Sequence, residues 1–356
     1  MFLLVSTSSL PRSCLRPLLC FGAMGVCFSN PEGSITASKS SEGFPFIPSL
    51  PPPRPEGEIL AHCNLLQFTY DQLKRATVDF DSKNFLGQGG FGSVYKGWIN
   101  GQPIAVKNLS VYLAMGEEQW HNELDFLSRL HHKNLIRLIG YCSEGHKMLL
   151  VYEFMSNGSL HDHLFKIQLG TLPWNIRLKI ALGAARGLNY MHEPTKNIVF
   201  RDFKSANILL DGNFNAKLSD FGWARDGPAS DRTHVSTRAI GTLGYAAPEY
   251  HLNGHLSHRC DVYSFGVMLL ELLTGQLAHV AERKETYLVE WTKSELKRNK
   301  KLNRIMDPRL KDKFPEKEAY RLATVAIHCV HEEPDKRPTM EIVVIALEEI
   351  VLPSGN

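Results

Sequence analysis

The stretch Phe200-Arg201-Asp202-Phe203-Lys204-Ser205-Ala206-Asn207 is followed, thirteen residues after Asn207, by Asp220-Phe221-Gly222. An aspartate, a lysine two positions on and an asparagine five positions on supply a base, a cation and a metal ligand from one loop. Asp220 adds a second carboxylate, and magnesium prefers such oxygen ligands. A lone aspartate is ordinarily a cap or turn residue. That bland role does not account for the whole set in this order, which marks a catalytic loop.

Upstream, Leu86-Gly87-Gln88-Gly89-Gly90-Phe91-Gly92-Ser93-Val94 contains G-x-G-x-x-G-x-V between strand-like residues. Taken alone it is either a nucleotide loop or a glycine-rich hairpin. Glycines let backbone N–H groups approach phosphate oxygens with no Cβ in the way. The missing G-K-[ST] argues against a Walker A loop, and the missing helix after it argues against a dinucleotide fold. Thirteen residues past Val94, Lys107 ends the apolar run Ile104-Ala105-Val106. By itself it would be a solvated edge charge; with the loop it matches a phosphate-contacting lysine that needs a carboxylate partner. In residues 117–130 Trp120, Leu124, Leu127 and Leu130 mark a buried helical stripe, and Glu123 is the favoured partner. Glu117 and Glu118 lie nearer the helix start, where acids commonly complement the dipole.

Residues 96–107 read as two strands joined by Asn100-Gly101, a hairpin signal, and 149–154 as an apolar strand. After Ser159 the pattern turns helical, with Ile176, Ile180, Ala184, Leu188 and Met191 on one stripe and an apolar helix over 262–273. A β-rich lobe followed by a larger helical lobe predicts an α+β architecture with a ligand cleft between the two.

The chain has 356 residues, 22% of them charged, and a net charge of +3. That balance argues against nucleic acid as a partner. Seven scattered cysteines without a C-x-x-C pair fit neither a disulfide framework nor a zinc site. No apolar run approaches the roughly 18 to 20 residues of a membrane span. The first acidic residue is Glu32, and residues 44–55 read FPFIPSLPPPRP, an extended polyproline linker. Residues 1–67 are therefore expected to be a disordered targeting and linker segment, with folded structure from about 68 to 352.

From these motifs the chain resembles the eukaryotic protein kinases over about residues 80–352. Ala247-Pro248-Glu249, Asp261 in DVYSFGV and Arg337 in DKRPTM agree, and Lys204 in D-x-K-x-x-N resembles the serine/threonine class. The finer similarity is to plant receptor-like cytoplasmic kinases, especially subfamily VII. It rests on residues 68–77, 86–99, 137–142, 149–165, 178–188 and 233–250.

The resemblance implies a two-lobed kinase fold: a flank at 68–79, an N-lobe at about 80–152, a hinge at about 153–155 and a C-lobe at about 156–352. It implies ATP bound by residues 86–94, Ala105, Lys107, Tyr152, Glu153, Met155 and Leu209, with Phe154 also in the hinge. Asn207 and Asp220 would hold Mg2+. Lys204 would steady the γ-phosphate, Asp202 would accept the substrate proton, and Glu123 would hold Lys107. The implied partners are protein substrates and upstream receptor kinases in immune or developmental signalling. Arg201 would grip a phosphate in the activation segment, with Ser236 or Thr237 as phosphosites and Thr242 bonded near the catalytic loop.

Some positions depart from the family pattern. Phe200 replaces Tyr or His, though its ring is still able to stack with Phe221, Leu127 and Leu138. Trp223 replaces Leu and is expected to bias its loop toward an inactive pose. Ser230-Asp231-Arg232 replaces a Gly-Asp-Lys protease site, so that cleavage is not carried over. A pseudokinase scaffold is the alternative, set against by the intact Lys107, Glu123, Asp202, Asn207 and Asp220. Met24-Gly25-Val26-Cys27-Phe28-Ser29 fits a myristoylation motif at Gly25, with Cys27 as a palmitoylation candidate, if synthesis starts at Met24 rather than Met1. This places the protein on the cytoplasmic face of the plasma membrane. The rivals are a cytoplasmic location, or an organelle if residues 1–31 are a transit peptide.

Overall fold

The computed structural model describes residues 65–89, 92–109, 114–229, 231–299, 302–311 and 313–351. The proline-rich linker, Gly25 and Cys27, Gly90 and Phe91 of the glycine loop, and Ser230 lie outside the described residues.

The described fold includes a short strand ahead of position 68. Leu66–Gln67 (β1) pairs in parallel with Gly140 and Tyr141; a strand of two residues has no periodicity to read. Thr69 then closes a capping box, its hydroxyl accepting the Gln72 N–H while Gln72 Oε1 accepts the Thr69 N–H at 2.8 Å. This starts helix α1 (Tyr70–Ala76), which buries Leu73. Next come β2 (Phe85–Gly89), β3 (Gly92–Ile99) and β4 (Gln102–Leu109). Asn100 and Gly101 take φ of 50° and 76°, the two positive values that a tight type I′ hairpin needs. Helix α2 (Ala114–Arg129) precedes β5 (Leu138–Glu144) and β6 (Lys147–Glu153). The sheet order is β1-β5-β6-β4-β3-β2, antiparallel apart from the β1–β5 edge.

Strand alternation positions the site. Ile104 and Val106 of β4 pack with Leu73, Leu149 and Val151 in a small outer core, whereas Ala105 packs on the main core. Lys107, two residues from Ala105, therefore shares its face of the sheet.

The second lobe is helical: α3 (Leu160–Phe165), α4 (Trp174–His192), α5 (Pro248–Asn253), α6 (His258–Thr274), α7 (Leu288–Asn299), α8 (Glu316–Cys329) and α9 (Met340–Val351). In α4 the stripe of Ile180, Ala184, Leu188 and Met191 is fully buried, and Ile176 is partly buried against the same core. Each large aliphatic removed from water there contributes about 1.5 to 3 kcal/mol. Helix α4 also needs glycine at 187, where a Cβ would lie 2.8 Å from the Asn134 carbonyl oxygen. Helix α6 is buried on all sides from Cys260 to Thr274 and forms the post on which the catalytic segments hang.

Three short antiparallel ladders hold those segments: β7 (Ile198–Val199) with β10 (Arg225–Asp226), β8 (Ile208–Leu210) with β9 (Ala216–Leu218), and β11 (Val235–Ser236) with β12 (His255–Leu256). Among the described residues no helix is long and apolar enough to cross a membrane. Cys142, Cys260 and Cys329 are buried free thiols.

Candidate active site

Asp261, near the start of α6, accepts the Phe200 and Arg201 N–H groups, each at 2.8 Å, and faces His192 Nε2 at 2.9 Å. Its carboxylate is buried, so these bonds are strong enough to keep Arg201 at φ 76°, a left-handed conformation costing about 1 to 2 kcal/mol. The turn presents the next residue, Asp202. Asp202 Oδ2 accepts from Lys204 Nζ at 2.7 Å, and Oδ1 accepts from the Thr242 hydroxyl at 2.9 Å. Thr242 Oγ1 in turn accepts from Lys204 at 3.0 Å, so the catalytic-loop bond expected of Thr242 is present. Burial works against the Lys204 ammonium, but the Asp202 carboxylate outweighs it and holds the Lys204 pKa above its usual value.

Lys107 stands 2.7 Å from Glu123 Oε2 and 2.8 Å from Asp220 Oδ1. Desolvation disfavours its charge, yet the two carboxylates prevail and raise its pKa. For Asp220 the balance is the mirror image: burial would raise its pKa, and the Lys107 charge brings it below the usual value. Asp220 sits at φ 68°. The next residue, Phe221, is fully buried and meets the Phe200 ring edge-on at 5.2 Å. Leu127 and Leu138 belong to the same hydrophobic core as these two rings.

The inactive pose expected from Trp223 is not the one adopted. Trp223 is tucked in beneath the Arg201 guanidinium, 5.9 Å from its ring centre, and Asn122 Nδ2 donates to the Gly222 carbonyl at 3.1 Å. Asp220 thereby stays turned toward Lys107.

The expected nucleotide residues gather along the sheet and across the cleft. Val94 lies opposite Lys107, Ala105 opposite Tyr152, and Leu209 of β8 bridges to Ser159. Leu86, Gly87, Gln88 and Gly89 lie in β2, and Gly92 and Ser93 open β3. At Gly92 packing itself excludes a side chain, since a Cβ would meet the Asn108 carbonyl oxygen at 2.3 Å. At Gly87 a Cβ would meet nothing within 4 Å. Protein packing does not demand glycine there.

Tyr152 is buried, and desolvation together with the Glu123 charge pushes its phenol well above the usual pKa. Of the hinge groups, the Glu153 N–H donates to the Arg137 carbonyl at 3.1 Å. Its carboxylate ties β6 to β9 through Lys217 at 2.7 Å. Met155 N–H has no backbone acceptor among the described residues.

Two oxygen donors suit a hard cation. Asn207 Nδ2 donates to the Asp202 carbonyl at 2.9 Å, which leaves Oδ1 as the available ligand atom, and Asp220 has a second carboxylate oxygen beyond the one facing Lys107. Among the described residues no three His, Cys, Asp or Glu side chains form a metal cage. The donor set therefore fits magnesium shared with phosphate oxygens and water, not a closed protein site.

Arg201 already has three hydrogen-bond acceptors. Its Nε donates to the Tyr250 hydroxyl at 2.7 Å, and Nη2 donates to Arg238 O at 2.8 Å and Thr237 Oγ1 at 3.2 Å. Ser236 is exposed in the β11–β12 ladder instead. Sequence reasoning missed Tyr250 and Arg225. Burial and the neighbouring Arg201 charge lower the Arg225 pKa, and its buried Nη1 lacks a hydrogen-bond partner. Tyr250 was visible only as the aromatic after Glu249; nothing in the local text pointed to Arg225. Glu249 itself is gripped by both Arg337 terminal nitrogens at 2.7 and 2.8 Å.

Residues 80–346 match the protein kinase domain family. Among curated proteins, the chain is 47% identical over 333 residues to the probable serine/threonine-protein kinase PBL3 of Arabidopsis thaliana, covering 90% of this chain and 78% of that protein. It is 46% identical to receptor-like cytoplasmic kinase 176 of Oryza sativa subsp. japonica, covering 90% and 85% of the two chains. It is also 50% identical to an EPD1-interacting receptor-like cytoplasmic serine/threonine-protein kinase of Nicotiana benthamiana, over 81% of this chain and 64% of that protein.

Proposed function

The chain belongs to the protein kinase family, in its plant receptor-like cytoplasmic serine/threonine branch, and from that premise we propose that it passes signals from cell-surface receptor kinases to protein substrates by phosphorylating them. The observation that carries this reading is Lys107 held between Glu123 and Asp220, with Asp202 and Asn207 on the facing loop. Phosphoryl transfer asks mainly for positioning and charge neutralisation. In this reading Lys107 binds the ATP phosphates and the 86–94 loop covers them. Tyr152 backs the adenine site while Ala105, Leu209 and Met155 line it.

Asp202 orients a substrate serine or threonine hydroxyl and takes its proton as the oxygen bonds to the γ-phosphorus and ADP departs. Lys204 steadies the charge on the transferring group. Asn207 and Asp220 are the residues that would hold magnesium, which when bound neutralises phosphate charge. The test is purified wild type in Mg-ATP with labelled γ-phosphate, scored for autophosphorylation. A silent wild type that still binds ATP would replace this reading with the scaffold.

Activation through Thr237 follows from its place beside Arg201. A phosphate there adds about −1.5 to −2 charge within reach of Arg201, and each new charge-assisted bond is worth about 1.5 to 3 kcal/mol. Thr237→Ala is expected to lower activity after autophosphorylation by about tenfold or more, while Ser236→Ala changes it little. Equal activity of Thr237→Ala and wild type, each with and without phosphatase, would put the switch elsewhere.

We also assign Gly25 and Cys27 as the lipid sites of a product starting at Met24, tethering it to the cytoplasmic face of the plasma membrane, in immune or developmental signalling. One myristoyl chain binds membranes only marginally, so both residues are needed for stable attachment. Gly25→Ala is expected to move the protein from the membrane to the soluble fraction, and Cys27→Ser to weaken retention. Mass spectrometry finding Met1 as the mature start would end this account.

A further inference from the structure

A cavity of about 430 Å³ lies between α4, the β8–β9 hairpin and the loop ahead of β5, among residues that the phosphoryl-transfer reading leaves unused. Its wall is basic: Lys133, Lys179, Arg186 and Lys217 line it against one acid, Asp211. Arg186 and Lys217 are already paired, each at 2.7 Å, with Glu348 and Glu153. Lys133 and Lys179 are exposed, and neither has a carboxylate within ion-pair distance among the described residues. Lys179 donates to the Asn213 carbonyl at 2.7 Å, which fixes its ammonium at the rim.

The same cavity is lined by Asn134, 6% exposed. Asn134 Nδ2 donates to Ala216 O at 2.8 Å, but the buried Oδ1 has no donor. An orphaned buried acceptor of this kind costs about 1 to 3 kcal/mol until a donor arrives.

The geometry points to this cavity as a docking site for an acidic peptide segment of a protein partner. A backbone N–H of the peptide satisfies Asn134 Oδ1, and its carboxylates pair with Lys133 and Lys179. A peptide suits the site better than the other polyanions. Phosphodiester groups bring acceptors, not the donor that Asn134 lacks. A flat bilayer does not reach a buried amide, and two unpaired lysines are few for nucleic acid. The inference rests on the kinase reading only for the partner's being a substrate or regulator of this enzyme.

Binding without turnover tests it separately from that reading. Full-length protein with a non-hydrolysable ATP analogue in the cleft is titrated into a fluorescein-labelled hexaglutamate peptide and followed by anisotropy. Saturable binding is expected, weakened by added salt, lost for hexaglutamine, and reduced tenfold or more by Lys133→Glu/Lys179→Glu. A control pair of exposed lysines elsewhere, Lys83→Glu/Lys317→Glu, is expected to leave it unchanged, as both double variants leave melting and phosphorylation of a short neutral peptide unchanged. Equal loss in the two double variants would reduce the effect to net charge and overturn the site. So would no loss in either. Dependence on Lys133 and Lys179 for phosphatidylserine vesicles but not for the peptide would replace the peptide with a membrane surface.

Discussion

Asp202→Asn is expected to give a folded protein that transfers phosphate at least about 10²-fold more slowly than wild type. The carboxylate has two jobs that its amide does not do: it accepts the substrate proton, and it neutralises Lys204 at 2.7 Å. Asparagine keeps the shape, and Thr242 and Asn207 still have oxygens to bond. The loss should therefore fall on turnover, with the melting temperature little changed. Lys107→Met should be as severe for a different reason. It removes the cation between Glu123 and Asp220 and leaves two carboxylates facing each other in a poorly solvated site.

The sign of the accompanying pH effect follows from Asp220. Its native pKa lies below the usual 3.8, so it contributes stability above that pH and loses it as pH falls through the native value. Lys107→Met should erase this increment, and its melting temperature should drop most at neutral pH and converge on wild type in acid. Turnover retained in both variants would remove the mechanism. Loss of cooperative melting in either one would make that residue a structural support.

The catalytic set was legible because its chemistry is written in short, ordered motifs: Lys107, Asp202, Asn207 and Asp220 each announce themselves by residue type and spacing. Glu123 was found through helical periodicity, since Trp120, Leu124 and Leu127 fixed which face of α2 is buried. What stayed hidden depends on distant backbone meeting in space. Phe200 and Arg201 hang from Asp261, sixty residues on, and Arg201 finds Tyr250 and Thr237 through the path of the activation segment. The ladders β7–β10 and β11–β12 are two residues wide, too short for any alternation to show. Trp223 was misjudged for a related reason. Its bulk was weighed against a cleft, whereas the ring is stored under Arg201, away from the space that Asp220 occupies. A side chain's volume is read from sequence, but the cavity that receives it is not.

The buried pair of Arg177 and Asp307 carries the largest stability effect expected in the C-lobe. Arg177 is fully buried in α4 and uses its whole guanidinium: Nε donates to Leu172 O at 3.0 Å, Nη1 to Leu272 O at 2.6 Å and Nη2 to Asp307 Oδ2 at 2.6 Å. It thereby staples α4 to the end of α6 and to the turn at 307, three segments far apart in sequence. Arg177→Met fills much of the volume but leaves two buried carbonyls without donors and Asp307 with Arg309 as its remaining cation. Breaking one side of such a pair costs about 3 to 5 kcal/mol. The urea midpoint at pH 7 should fall accordingly, while the kinetics of the fraction still folded stay close to wild type.

The acid limb supplies the check that separates lost charge pairing from lost packing. Burial alone would raise the Asp307 pKa, but hydrogen bonds from Arg309 and Arg177 outweigh it and the net shift is downward from 3.8. The stability tied to that shift is present above about pH 4 and is lost as pH falls through the native pKa. Wild type has more of it to lose than Arg177→Met, so the gap between the two midpoints should narrow below pH 4. A gap that is constant down to pH 2 would assign the whole effect to packing and to the two carbonyls, with none left for the ion pair.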